Sequence, residues 1–208
     1  MKAPPDAAEN LANGVAAYRQ HKYDKALSLL LPIAEAGNPE AQFRVGAIYD
    51  DGGFGVQQDD EKACIWFKKA IAQNHILAIA SHLLKDFVAD RDHAYHVPPL
   101  AGIDTVKETD RCVANLIGLA DENDCEAILF LSMLLAFSPH IENDIQIAAT
   151  YALKGAKLND PDCMVMLGIL LLNIDDLEGN DITSIEWYEK AYAIGSRLAC
   201  GNLGSVYL

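Results

Sequence analysis

The chain has few basic residues, since 16 lysines and arginines stand against 30 aspartates and glutamates and give a formal net charge of −14. A nucleic-acid partner requires a basic stripe that neutralises phosphates, and an anionic membrane surface would repel so acidic a chain. A partner protein with a basic surface is the electrostatic complement. Acidity that only keeps the chain soluble explains the composition equally well, so both explanations stay open.

Long hydrophobic runs are also missing. No stretch of about eighteen apolar residues occurs, so we predict no membrane span. The first residues, Met1 to Asp6, contain no apolar signal core. We therefore expect a cytoplasmic protein, or a periplasmic one if a signal peptide preceded this sequence and Met1 has replaced it.

The sequence lacks the motifs of common enzyme and metal sites. Its five cysteines are odd in number and include no CxxC pair. It contains neither a Gly-x-Ser-x-Gly elbow nor a Walker-type phosphate loop. We therefore expect no catalytic residues, no cofactor and no metal site.

What the chain does contain is a repeated segment. Its clearest copies are residues 63–70, 148–155 and 184–191, which read ACIWFKKA, AATYALKG and SIEWYEKA. With two weaker copies included, the repeats end at Gly37, Asn74, Asn123, Asn159 and Gly195. The intervals between these ends are 37, 49, 36 and 36 residues. Such a period is typical of stacked helical hairpins rather than of one globular core.

A first helix precedes each repeated segment. Its clearest copies, residues 41–49 and 199–207, both carry a glycine in the helix interior. Such a glycine lowers helix stability by about 0.5–1 kcal/mol relative to alanine, so we expect a close helix contact that compensates for it. We predict that the rings of Trp66, Tyr151 and Trp187, on the second helices, fill the space between hairpins.

These residues carry a family resemblance. Residues 53–70 contain GxGV followed by DxKAxxWFxKA, and this segment resembles the Sel-1-like repeat, a relative of the tetratricopeptide repeat. The first-helix pattern Ala-x-x-x-Leu/Val-Gly-x-x-Tyr belongs to the same family. The third repeat departs most, because His82-Leu83 stands where Leu-Gly is expected.

The resemblance implies an all-α fold, a right-handed α-solenoid of about five antiparallel helix-turn-helix repeats plus a terminal helix. It implies a single solenoid domain over residues 1–208, with the resemblance itself extending over residues 7–208. It also implies a scaffold or adaptor for protein complexes, with the first helices lining a concave face.

The third repeat is longer than the others, and its extra residues at about 89–104 predict an inserted loop. Insertions in repeat proteins often carry binding, so His93, Tyr95 and His96 are candidate partner contacts. The two histidines also suggest a metal site, but no second ligand cluster with zinc spacing supports it. We favour a plain loop.

The first helices of the fourth and fifth repeats are apolar on all sides, over residues 128–135 and 164–172. Packing within the solenoid accounts for one side, and the other would face the concave groove, where a partner protein would bind. The inserted loop or a tight superhelix would equally well cover these residues, so both alternatives stay open. The candidate partner-binding residues are Glu40, Phe43, Asp51, Glu126, Leu129, Met133, Phe137, Asp162, Val165 and Ile169.

Residues 199–208 resemble a first helix without a second helix to pack on it. Terminal repeats of solenoids usually carry a polar cap. We expect that this helix is the cap, that the native chain continues, or that a partner completes it.

The leading functional hypothesis is a non-enzymatic bacterial scaffold that binds a partner protein in the groove. A narrower version, based on the family resemblance, is an immunity protein that neutralises a secreted toxin such as a phospholipase effector of type VI secretion. The alternatives are a regulatory or assembly adaptor in the bacterial cell envelope and, least favoured, a hydrolase of peptidoglycan or β-lactams.

Overall fold

The computed structural model describes residues 6–88, 105–174, 177 and 182–207. These residues form α-helices joined by short turns, with no strand among them beyond an isolated bridge between Gly53 and Val56. In chain order the helices are α1 (Ala7–Arg19), α2 (Tyr23–Glu35), α3 (Pro39–Asp51), α4 (Asp60–Ile71), α5 (Ile76–Val88), α6 (Thr105–Asp121), α7 (Cys125–Phe137), α8 (Ile145–Lys157), α9 (Pro161–Leu171), α10 (Ser184–Ala193) and α11 (Arg197–Tyr207).

The described residues divide into two compact units, with the boundary between His82 and Leu83 inside α5. In the first unit α1 packs on α2, α2 on α3 and α3 on α4. In the second unit the helices from α6 to α11 each pack on the next, and α9 also contacts α7 and α11. Packing between successive helices is what an all-α solenoid requires. The predicted fold class is therefore confirmed.

Each unit has its own hydrophobic core. The core of the first unit joins α1, α2 and α3 and includes the Trp66 ring from α4. The core of the second unit joins α7, α8, α9 and α10 and includes Trp187 and Tyr188. Apolar residues from neighbouring hairpins thus share one core, so each hairpin depends on the next for its burial.

The residues at the predicted repeat ends have a special backbone conformation. All five have a positive φ, between 59° and 102°. A left-handed residue of this kind ends a helix, and glycine and asparagine adopt the conformation at the lowest cost. We call these positions the repeat ends; they are Gly37, Asn74, Asn123, Asn159 and Gly195.

The residue after each repeat end belongs to two helices at once. Its amide donates to a carbonyl five residues back in the helix that has just ended; for Asp160 the acceptor is the Gly155 carbonyl, at 3.2 Å. Its side chain then accepts a hydrogen bond from the first turn of the next helix; for Asp160 the donor is the Cys163 amide, at 2.9 Å. We call these residues the junction residues; they are Asn38, His75, Asp124, Asp160 and Ser196.

Among the described residues, no helix has the length and apolar character needed to cross a membrane.

Candidate partner-binding surface

Glycines in the first helices set how closely the second helices approach. A Cβ at Gly46 would lie 2.9 Å from the Phe67 ring, and one at Gly168 would clash with the Tyr188 ring. In α7 the corresponding residue is Ser132, whose hydroxyl donates to the Ala148 carbonyl at 2.8 Å. In each of these hairpins a small residue of the first helix contacts a ring or a backbone carbonyl of the second helix. This contact sets how the two helices pack.

The ring that lies against each of these first-helix glycines is the residue that follows the tryptophan in sequence. Phe67 and Tyr188, each one residue after the tryptophan, contact the glycines. Trp66 instead packs in the core that α1, α2 and α3 form, with the Lys69 ammonium 3.8 Å from its ring centroid. Trp66 therefore fills the space between two hairpins, as predicted, and Phe67 packs within its own hairpin.

Glu40 has partners inside its own unit. Arg44 Nε donates to Glu40 Oε1 at 2.6 Å, and His75 Nε2 lies 2.8 Å from Oε2. Because the Ala78 amide donates to His75 Nδ1, the imidazole proton is on Nε2 and faces the carboxylate. Burial by itself raises the pKa of Glu40, but the hydrogen bond from His75 and the charge of Arg44 outweigh burial and lower the pKa to about 2.

Phe43 is buried, contrary to a role in direct partner contact. Its side chain is 2% exposed, and its ring stacks on His75 with the ring centroids 5.0 Å apart. The Arg44 guanidinium lies 5.0 Å from the same ring and 5.2 Å from the Tyr18 ring. We therefore remove Phe43 from the candidate surface, because the side chains of its own unit already cover it.

Sequence reasoning did not connect Glu40 with Arg44 or with His75. The spacing of Glu40 and Arg44, four residues apart on one helix, was a signal that could have revealed their ion pair. The contact with His75 comes from the fold, which brings residues 35 apart in sequence together.

Asp51 is exposed and accepts a hydrogen bond from the Tyr23 hydroxyl at 2.8 Å. Phe54 lies nearby, and its ring stacks on His21 with centroids 5.2 Å apart. Gly55 belongs to the GxGV segment, in the linker between α3 and α4, and lies directly against the Asp24 carboxylate, where a Cβ would clash. The linker is therefore fixed against α2, which explains why glycine is needed there.

The second unit carries the larger candidate surface. Leu129, Met133 and Phe137 follow one another at intervals of four along α7, so they lie on one side of that helix. These three and Ile169 of α9 are partly exposed, and all four pack on the same buried core. Glu126 and Asp162 stand in the first turns of α7 and α9. We call these six residues the α7/α9 face.

Val165 does not belong to this face, because it is only 4% exposed and lies in the core of the second unit. The other candidates from the inserted loop, His93, Tyr95 and His96, lie outside the described residues.

Two cysteines are buried between helices. Burial raises the pKa of the Cys112 thiol to about 12 and that of the Cys163 thiol further still. Both are therefore protonated at neutral pH, which removes the thiolate that nucleophilic chemistry requires.

A family model for the Sel1 repeat matches residues 39–75, 125–160 and 161–196, which together make up more than half of the chain. The chain belongs to the Sel1 repeat family. The matched segments are the second, fourth and fifth repeats, and the divergent third repeat is not among them. The resemblance that the sequence showed is therefore confirmed.

Two solved structures are similar to this Sel1 repeat chain. One is a Sel1 repeat protein from Oxalobacter formigenes, 22% identical, with a TM-score of 0.47 over 95% of this chain and 75% of that one. The other is c5321, a protective antigen of uropathogenic Escherichia coli strains with an SLR fold, 21% identical, with a TM-score of 0.53 over 95% of this chain. The present chain spans 40% of c5321, and the likeness shows a shared fold. No curated protein matches the chain at a significant level.

Sel1 repeats generally act as scaffolds for protein–protein interaction, and the fold is typically non-catalytic. Protein binding is therefore the class of function that the family membership supports.

Proposed function

We propose that this chain binds a partner protein through the α7/α9 face. The observation that carries the proposal is the partial exposure of Leu129, Met133, Phe137 and Ile169 on helices that are apolar all round. Partly exposed apolar residues that cluster on one face, rather than scatter singly, are typical of interaction sites.

The composition of the face suits a binding site. Met133 is flexible and polarisable, which lets it adapt to the surface of a partner. Phe137 offers a large apolar area in a side chain with few rotatable bonds, as interface anchors usually do. These residues already rest on the core of the second unit, so little ordering is needed when a partner binds.

Charge indicates which partners fit best. Glu126 and Asp162 place carboxylates at the N-terminal ends of α7 and α9, and the whole chain carries a formal charge of −14. A partner with a basic rim around an apolar centre would complement this arrangement and associate faster at low salt. We therefore propose that the partner protein has a basic surface.

The test is a pull-down with the Met133→Asp/Ile169→Asp double variant, followed by mass spectrometry and by titration of the captured protein. Both side chains are partly exposed, so we expect the variant to keep its circular dichroism spectrum and to bind at least about 100-fold more weakly. The matched control is Ile65→Asp/Ile147→Asp, which changes two isoleucines that are 53% and 48% exposed on second helices. Retained binding in the first variant, or equal loss in both, contradicts the proposal.

The narrower hypothesis of an immunity protein makes a distinct prediction. It requires one dominant partner, 1:1 stoichiometry, and a dissociation constant of about nanomolar or below that is unaffected by metal ions. The regulatory or assembly adaptor instead predicts several partners with weaker binding. Titration of each captured protein distinguishes the two, and measured turnover of peptidoglycan or β-lactams would favour the hydrolase alternative.

A further inference from the structure

The junction residue at the start of α5 differs from the others in its chemistry. Four junction residues offer a side-chain oxygen to the first turn of the next helix; they are Asn38, Asp124, Asp160 and Ser196. His75 offers a ring nitrogen instead, since the Ala78 amide donates to His75 Nδ1 at 3.3 Å. Imidazole is the side chain whose charge ordinarily changes between about pH 5 and 8.

The His75 ring is fixed by contacts with α3 and by its own backbone. Its Nε2 lies 2.8 Å from Glu40 Oε2, and its face stacks on the Phe43 ring with the ring centroids 5.0 Å apart. The His75 amide donates to the Ala70 carbonyl at 3.1 Å, and the His75 carbonyl accepts from the Ile79 amide at 3.1 Å. The ring therefore has little freedom to rotate away from the start of α5.

The neutral ring satisfies both of its neighbours at once. Nε2 carries the proton and donates to the Glu40 carboxylate, while Nδ1 keeps its lone pair and accepts from the Ala78 amide. This amide belongs to the first turn of α5, where a helix supplies no acceptor of its own. His75 Nδ1 therefore acts as the N-cap acceptor of α5.

A second proton on the ring removes this acceptor. Imidazolium donates from both nitrogens, so a protonated Nδ1 would direct its N–H at the Ala78 N–H and the cap would be lost. At the same time the hydrogen bond to Glu40 becomes an ion pair and gains strength. Protonation therefore tightens the contact of His75 with α3 and loosens the first turn of α5.

The charged groups around the ring come from α3. Glu40 attracts the imidazolium, and Arg44 weakens that attraction because its guanidinium is bound to the same carboxylate. The end of α4 presents the uncharged Ala70 carbonyl, and the first turn of α5 carries no charged side chain. The pKa of Glu40 is about 2, so its carboxylate stays ionised wherever imidazole ordinarily titrates. Of Glu40, Arg44 and His75, only His75 therefore changes its charge between about pH 8 and 5.

We propose that His75 makes the start of α5 a pH-sensitive junction. At about pH 7.5 the neutral ring caps α5, whereas at about pH 5.5 the imidazolium stays bound to Glu40 and the first turn of α5 opens. The inference uses neither the α7/α9 face nor a partner, so it stands independently of the function proposed above.

Nuclear magnetic resonance of the intact chain tests the proposal. It follows the protonation of the His75 ring and the exchange of the Ala78 amide between about pH 8 and 5, with exchange corrected for its intrinsic dependence on pH. Protection of the Ala78 amide should fall at least about fivefold as the ring gains its proton, which is the usual effect of losing a cap. The internal reference is the Ala41 amide, which donates to the Asn38 side chain at 2.9 Å and should keep its protection within about twofold. A ring that stays neutral down to about pH 5, or an Ala78 amide that does not follow the ring, overturns the proposal.

Two variants separate the cap from the ion pair. His75→Asn gives α5 the capping amide that Asn38 gives α3, so protection of the Ala78 amide should stay within about twofold over the same pH range. Glu40→Gln leaves the ring nitrogen in place but removes the charge that favours its proton, so the loss of protection should persist and move to lower pH. A pH dependence that survives in His75→Asn assigns the effect to another group and refutes the proposal.

Circular dichroism checks that the opening is local. The chain and both variants should keep their helical spectrum at about pH 7.5 and 5.5, because the proposed change involves a single helical turn. If His75→Asn proves misfolded, His75→Ser supplies the capping hydroxyl that Ser196 uses at the start of α11. A loss of helix over the whole chain at about pH 5.5 would mean global acid unfolding and would overturn the pH-sensitive junction.

Discussion

At the scale of single residues, Glu40 shows how an acid that looks like a binding residue can stabilise the fold. Its carboxylate accepts from Arg44 and His75, and the Phe43 ring lies beside both partners. The His75 contact joins the start of α3 to the junction before α5. A hydrogen-bonded carboxylate of this kind links neighbouring repeats.

The lowered pKa of Glu40 predicts a dependence of stability on pH. The folded pKa of about 2 lies below the ordinary value of 4.5, so ionised Glu40 contributes stability above about pH 4.5, and that contribution is lost as the pH falls towards 2. We expect Glu40→Gln to lower the free energy of unfolding at pH 7 by about 1–3 kcal/mol. We also expect the stability of the variant to change less between pH 4.5 and 2.

Urea denaturation at a series of pH values measures both effects. Glu142→Gln is the control, because Glu142 is an exposed residue in the turn between α7 and α8. It should change the free energy of unfolding by less than about 0.5 kcal/mol. If Glu40→Gln changes neither the free energy of unfolding nor its dependence on pH, the contacts of Glu40 with Arg44 and His75 contribute nothing to stability.

At the scale of helices, the glycine slots decide how the two helices of a hairpin pack. Gly168 lies against Tyr188, which is buried, so the ring has little room to move. Gly118 of α6 has open space instead of a neighbour among the described residues. The same residue type therefore has opposite consequences at the two positions.

We predict that Gly168→Ala lowers the free energy of unfolding by about 1–3 kcal/mol, since the added methyl group displaces the Tyr188 ring. Gly118→Ala should raise it by about 0.5–1 kcal/mol, since alanine favours the helix and meets no neighbour. Chemical denaturation of the two variants and the unmodified chain gives these values. A stabilising effect at Gly168 would mean that the ring moves aside at no cost.

Helices and their ends follow from local sequence, which is why they could be predicted. The repeat-end asparagines and glycines act within a few residues, so the pattern alone identified them. Which ring meets a glycine depends instead on how two helices rotate against each other. The sequence therefore did not reveal that Tyr188 is the ring that lies against Gly168.

At the scale of the whole molecule, stability in a repeat protein depends on neighbours. Within the second unit, α9 packs against α7, α8, α10 and α11, whereas the described neighbours of α11 are α9 and α10. An element with fewer packed neighbours opens locally at a lower free energy.

We therefore predict that the backbone amides of α11 exchange with deuterium faster than those of α9. Hydrogen exchange followed by mass spectrometry, with peptides that cover each helix, measures the difference. Protection should fall by at least about tenfold from α9 to α11. Equal protection would show that the second unit opens as one cooperative block.

The candidate surface was harder to predict than the fold, because exposure depends on the neighbours that the fold supplies. The periodicity of α7 puts Leu129, Met133 and Phe137 on one side of the helix, and all three are partly exposed. It could not show that Phe43 and Val165 are buried, since rings and helices distant in sequence cover them. Similar positions in different repeats thus differ in whether a partner can reach them.

The junction residues have a consequence for how such a chain changes in length. Each one closes one helix and opens the next within a single residue, so a whole repeat is a cassette that begins and ends in the same local conformation. Duplication or loss of a cassette would rejoin the chain at a junction without a new loop. The 49 residues between Asn74 and Asn123 illustrate the other route, since the repeat is longer while both of its ends keep the left-handed conformation. Extra sequence is thus inserted within a repeat, and the conformation at its two ends stays the same.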